Sequence, residues 1–251
     1  MNIGENIRLC VLVPVYNNAA TIGQVLERVH PFVPDILVVD DGCTDGTPDV
    51  LAGLSIPIKL LRHPLNQGKG AALRTGFCAA AAMGFTHVVT LDADGQHFPE
   101  DLPLFLQAVA EYPNDILVGC RNLTADRMPR QNTAANRFSN FWFRLQTGQD
   151  LSDTQSGYRA YPLASLHGLG CLTSRYEAEL ELMVLAAWHG VAVRGLPVRV
   201  YYAPEGERVS HFRPFWDFFR ISVLNTVLTL GALCYGLPLR LVRCFRPKSR
   251  R

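Results

Sequence analysis

Charge is scarce in this chain, and so are clustered metal ligands. Charged residues make up 18% of the 251 residues, below the roughly 25% usual in soluble domains, and the formal net charge is only +2. That near-balance excludes a generally basic nucleic-acid binder and leaves room only for local basic patches. The seven cysteines are scattered, with no C-x-x-C and no closely spaced Cys/His set. This argues against structural zinc and suits reduced thiols in a cytosolic compartment. No two of the histidines stand at i, i+4 spacing. The opening MNIGENIRLC has one arginine and no apolar core of about 7–15 residues, so no secretory signal is expected.

Apolar residues, by contrast, are plentiful at 48%. Short runs rich in Val, Ile and Leu (9–17, 35–42, 56–63, 86–94 and 115–121) read as strands buried on both faces. Helix-compatible stretches separate them, so the alternation predicts an α/β fold with right-handed crossovers and a mainly parallel sheet. Asn17, Asn18, Asp40, Asp41, Asp92, Asp94 and Arg121 all follow the carboxyl ends of predicted strands. Open α/β sheets bind ligands at that edge. The division expected is a catalytic domain over 1–210 and an aromatic, apolar tail with a basic end over 211–251.

The segment LDADGQH runs a buried strand into two carboxylates. Carboxylate and amide oxygens suit a hard cation such as magnesium or manganese. The plainer reading is an Asx turn with a helix cap after Pro99. The segment NQGKG lacks the spacing of a Walker loop and of a dinucleotide fingerprint.

Taken in order, VPVYNNAAT, VVDDGCTDGT, NQGKGAALRTGF and LDADGQH closely resemble the motifs of the family 2 glycosyltransferases. The likeness is to the branch of dolichol-phosphate mannose synthase and the bacterial polyprenyl-phosphate sugar transferases. It runs from about Leu9 to Ser210 and implies the GT-A nucleotide-diphospho-sugar fold. It implies that Pro14, Tyr16 and Asn17 shape the nucleoside site, that Asp41 reads the base, and that Asp40 organises the turn. Lys69 or Arg74 would face anionic parts of the donor. Asp92 would contact ribose or sugar, Asp94 would hold Mg2+ or Mn2+, and Gln96 would be a further ligand. Arg121, Arg127, Arg130 and Arg137 would seat phosphates, which suits the guanidinium fork. The family's GSRY is here GCRN, a departure at the loop's substrate contacts.

The segment LSDTQSGYRAYP resembles the acceptor-side motif, with Asp153 the matching acid, Gln155, Ser156 and Gly157 forming a loop near the sugar, and Arg159 reinforcing it. Glu177 and Glu179 fall where some relatives place a base, but solvated helix charges are the expectation there. APEGERVSHFRP resembles a loop closing over the diphosphate, with Arg208 and His211 on phosphate. The implied reaction is inverting hexosyl transfer from a nucleotide-diphospho-sugar to a polyprenyl phosphate or similar lipid carrier. The alternatives are transfer to the hydroxyl of a glycolipid or polysaccharide, a nucleotidyltransferase, or a catalytically silent scaffold.

From Ile221 to Leu239 no residue is charged, and aromatic residues with arginines precede that run. Length suits a membrane span, but Gly231, Gly236 and Pro238 weaken a straight helix, and the arginines at the end would break the positive-inside tendency. The expectation is a re-entrant or interfacial pair of helices seated on the cytoplasmic face of the plasma membrane. A helix completing the soluble core, or a homodimer contact, is the alternative.

Overall fold

A computed structural model of the chain describes residues 6–121, 130–201 and 214–239, apart from the side chains of 130–134 and 214–219. The strands are β1 (Leu9–Val15), β2 (Ile36–Asp40), β3 (Lys59–Arg62), β4 (His87–Thr90), β5 (Ile116–Arg121), β6 (Arg159–Pro162) and β7 (Val193–Val198). The helices are α1 (Ile22–Val29), α2 (Thr47–Ala52), α3 (Lys69–Ala82), α4 (Leu102–Glu111), α5 (Arg130–Thr147), α6 (Leu163–Leu166), α7 (Ala178–Trp188) and α8 (Pro214–Gly231).

The strands form one sheet in the order β3-β2-β1-β4-β6-β5-β7. All neighbours pair in parallel except β6, which runs antiparallel to both β4 and β5. The core follows from the two-residue period of a strand. Val11, Val13 and Val15 face one layer with Ile22, Leu26 and Phe105, while Cys10 and Leu12 face the other with Ala72, Leu73 and Ala80. The expectation of burial on both faces fails at β3. It is an edge strand, with Lys59 and Arg62 exposed and its two leucines only half buried.

A third apolar cluster joins β5, α5, α7 and α8. Among the described residues the predicted tail forms one helical rod. Helix α8 continues through a π segment, Ala232–Gly236, to Leu239. The glycines that weakened a straight helix serve packing: a Cβ at Gly231 or Gly236 would strike the Trp188 indole. Leu224, Leu228 and Ala232 face inward, while Val223, Val227, Leu230 and Leu233 are exposed. Gln146 Nε2 donates to Asn225 Oδ1 at 3.2 Å and to Thr229 Oγ1 at 3.3 Å, and Trp188 Nε1 donates to the Gln146 carbonyl at 2.9 Å.

Helix α3 lies so close to β1 that a Cβ at Gly76 would overlap the Leu12 side chain. Gly76→Val is therefore expected to overpack this layer and cost about 1–3 kcal/mol in urea unfolding. An unchanged midpoint would show that α3 can lift off without penalty.

Candidate active site

Parallel strands leave the sheet at one edge, and the antiparallel β6 enters there. The segment before β6 (153–158) therefore meets the residues after β4 and β5. A Cβ at Gly157 would overlap the Asp92 carboxylate, so the two segments pack closely at this glycine.

At the β1–β2 side of this edge lies a cavity of about 330 Å³, walled by Tyr16, Asp40, Cys43, Arg62, Pro64 and Asn66 among others. Its size falls in the range of small-ligand sites. Asn17 sits in the left-handed region (φ 52°) and ties the end of β1 to the next loop, accepting from Thr44 N at 2.8 Å. Pro14 is buried within β1 and paired in register with Val39. The two acids of DDG have different surroundings. Asp41 accepts from His63 Nδ1 (2.6 Å), Gln67 N (3.0 Å) and Gly68 N (2.8 Å) and is no part of the cavity wall. Asp40 does line it, held by Cys43 N at 2.8 Å and Arg62 Nε at 2.9 Å.

Gly68 and Gly70 serve a packing contact. A Cβ at either would collide with Ser174 or Ala178, and Ala71 N donates to the Ser174 carbonyl at 3.0 Å. Lys69 is thereby placed between Asp92 Oδ1 (2.6 Å) and Glu179 Oε2 (2.8 Å). Burial alone would lower its pKa, but Asp92 and Glu179 more than offset this and raise it. Burial would raise Asp92, yet Lys69 holds it below the usual carboxylate range. Burial, reinforced by the negative Asp92, pushes Asp94 up to about 6. Asp94 Oδ1 accepts from Gln96 N at 3.0 Å. A carboxylate raised in this way by a like charge fits a divalent cation, and hard oxygen donors are the type that magnesium and manganese take. Among the described residues no third His, Cys, Asp or Glu joins the pair. His97 is buried against Tyr158 with its rings 5.4 Å apart, and burial pushes it down to about 4.

Asp153 is fully buried and receives five hydrogen bonds. Arg121 donates from N (3.2 Å), Nε (2.6 Å) and Nη2 (3.0 Å), Asn136 from Nδ2 (2.6 Å), and Gln155 from N (3.1 Å). Burial would raise its pKa, but these donors win and hold it low. Arg159, 1% exposed, donates to the carbonyls of Ser156 (2.6 Å), Thr154 (3.0 Å) and Glu179 (2.9 Å). Ser156 is buried, with Oγ accepting from Tyr158 N at 3.3 Å. Gln155 reaches the Ala135 carbonyl at 3.5 Å.

The expectation of solvated charges on α7 is overturned, because Glu177, Glu179 and Glu181 are all buried. Glu181 accepts from Leu172 N, Thr173 N and Thr173 Oγ1. This helix carries apolar residues on every side, a pattern that marks a buried helix and could have revealed that its acids need partners. Arg74 donates to the Thr173 carbonyl at 2.7 Å, on the loop before α7. Arg127, Arg208, His211 and the side chain of Arg130 lie outside the described residues, while Arg137 is exposed.

The model of glycosyl transferase family 2 matches residues 10–166. The undecaprenyl-phosphate mannosyltransferase of Micrococcus luteus is 32% identical over 211 residues, covering 80% of this chain and 86% of that protein. The polyprenol monophosphomannose synthase of Mycolicibacterium smegmatis is 30% identical over 203 residues, covering 76% of each. Glucosyl-3-phosphoglycerate synthase of Mycobacterium tuberculosis, solved with Mn2+, UDP-glucose and phosphoglyceric acid, superposes with a TM-score of 0.63 at 21% identity, covering 92% of this chain and 81% of that one. At that identity it shows a shared fold.

Asp153→Asn leaves Arg121 facing a neutral amide and is expected to cost about 3 kcal/mol in urea unfolding near pH 7. The folded pKa of Asp153 lies below its unfolded value, so its stabilisation is present above about pH 4. It is lost as pH falls through the folded value. The gap between wild type and variant should therefore close only in strong acid; a gap that closes between pH 5 and 7 would contradict the pairing.

Proposed function

Because the chain belongs to glycosyltransferase family 2, we propose that it is an inverting hexosyltransferase carrying a sugar from a nucleotide-diphospho-sugar to the phosphate of a polyprenyl-phosphate carrier. The observation that carries the choice of acceptor is the saturation of Asp153. A carboxylate that already accepts five hydrogen bonds and is held ionised is a poor proton acceptor. A lipid phosphate is an anion before it reacts and needs no base, whereas a hydroxyl does. Relatives that act on undecaprenyl phosphate and polyprenol phosphate support the same reading.

In this reading the nucleoside occupies the cavity beside Tyr16, with Asp40 as the carboxylate that meets the base and Pro14 and Asn17 shaping the wall. Asp92 orients the sugar or ribose. The acceptor oxygen forms a bond to the anomeric carbon from the face opposite the nucleotide, and the bond from that carbon to the diphosphate breaks, leaving a nucleoside diphosphate. A divalent cation held by Asp94, with Gln96 beside it, would neutralise the charge growing on the departing diphosphate. Arg121, braced by Asp153, stands at the acceptor side, and Gln155 and Ser156 shape the loop there. Lys69, with both acidic partners in place, orients Asp92.

The carrier implies a membrane, and the segment Arg220–Leu239 is long and apolar enough to cross one by length and composition. Its inner face is bound to α5 and α7 through buried Asn225 and Trp188 contacts, which supports a helix lying along the cytoplasmic interface beside its own domain.

Purified enzyme offered labelled UDP- and GDP-sugars should label polyprenyl phosphate and leave polyprenol and glycolipid unlabelled. Label on a hydroxyl acceptor would overturn the reading. Asp94→Asn should lower transfer at least about 100-fold with the fold intact, and Arg121→Lys should lower turnover because the guanidinium fork is lost. Carbonate washing of membranes should release the protein if it is interfacial. Retention through the wash would instead show a segment inserted in the bilayer.

A further inference from the structure

We propose that Lys69 and Glu179 form a built-in counter-charge that sets how tightly the Asp92–Asp94 pair holds its cation. Glu179 is then a positioning residue and not a base. The inference rests on the reading of Asp94 as the cation's ligand.

Glu179 is buried and faces two cations. Oε2 lies 2.8 Å from Lys69 Nζ, and Oε1 is buried without a hydrogen-bond donor, 3.9 Å from Arg159 Nε. Lys69 in turn is drawn away from any donor phosphate. Its ammonium is committed to Asp92 and Glu179, and only 16% of its side chain is exposed. Asp92 is packed closely against Gly157, where a Cβ would overlap its carboxylate. In this cluster the charges of Lys69 and Arg159 balance those of Asp92 and Glu179, leaving Asp94 as the uncompensated acid. A divalent ion therefore meets about one net negative charge from this cluster. That suits a cation which must arrive with a nucleotide-sugar and leave with a nucleoside diphosphate. Its dependence on the cluster has a sign. Removing the negative charge of Glu179 leaves Lys69 to Asp92 alone and weakens cation binding. Removing the positive charge of Lys69 uncovers Asp92 and strengthens it. A unit charge several ångströms away in a partly buried site is worth about tenfold in either direction.

The test uses Mn2+ alone, without substrate, reading free Mn2+ by electron paramagnetic resonance against the full-length protein in detergent. Glu179→Gln should bind Mn2+ about tenfold more weakly and Lys69→Met about tenfold more tightly, while Glu179→Asp and Lys69→Arg stay close to wild type. Both charge-removing variants should lose turnover, because Asp92 is no longer oriented. Damage to the site would weaken binding in every variant, so shifts in the same direction, or no shift, would overturn the proposal. If Glu179→Gln does not fold by circular dichroism, Lys69→Met decides alone, since a damaged site does not bind more tightly. Wild-type protein that binds no Mn2+ sensitive to Asp94→Asn would overturn the cation site and the proposal together. Binding that is lost in Asp94→Asn but unmoved in the Lys69 variant overturns only the latter.

Discussion

The reversal of one strand is the constraint on which the site depends. Six strands run the same way, so their carboxyl ends deliver Asp40, Asp92 and Arg121 to one edge. With strands of one direction only, nothing would approach that edge from the other side except loops. Strand β6 runs backwards between β4 and β5, so the residues that precede it, Asp153 to Tyr158, are carried to the same place. Two segments far apart in the chain then face each other across a fixed spacing of neighbouring strands. The Gly157–Asp92 contact and the Arg121–Asp153 fork are the two results.

Bringing acids and bases together in a half-buried place raises an electrostatic problem, since an unpaired ion there costs several kcal/mol or shifts its pKa until it is neutral. The chain solves it group by group. Asp153 has Arg121, Asp92 has Lys69, and Asp41 has His63 and two backbone N–H groups. Asp94 is left with one backbone donor and a carboxylate neighbour, and it is the acid whose pKa rises. The exception among paired acids is thus the position where a cation would supply the missing charge. The same pairing removes the surrounding carboxylates from service as proton acceptors, so acceptor chemistry and electrostatics point the same way.

The alternating apolar runs and the acids at strand ends were legible from sequence because both depend on local pattern. What was not legible depends on topology. Asp153 and Arg121 are 32 positions apart, and nothing local shows that a strand reversal will join them. The different surroundings of Asp40 and Asp41 were hidden for a related reason: both stand at the end of one strand, and only the path of the 63–68 loop decides which carboxylate it wraps. The acids at α7 were expected in solvent, although the helix is apolar on every side and buries them. The packing role of Gly68 and Gly70 was likewise hidden, because it depends on the distant residues Ser174 and Ala178.

Helix α5 connects the two ends of the proposed function. Near its start Asn136 holds Asp153, and ten residues later Gln146 holds α8 through Asn225 and Thr229. At 1.5 Å per residue these two anchor points lie about 15 Å apart along one rigid rod. Composition alone cannot tell a spanning helix from a docked one, but a free span would leave Asn225 in hydrocarbon without a partner, and here the partner belongs to the catalytic unit. The distance from the apolar helix to the acceptor-side carboxylate is therefore fixed by helix geometry, with no flexible linker in between. An enzyme whose acceptor phosphate is tethered to a bilayer by its own hydrocarbon needs such a fixed height, because the phosphate can rise only a few ångströms from the headgroups before its chain is drawn into water.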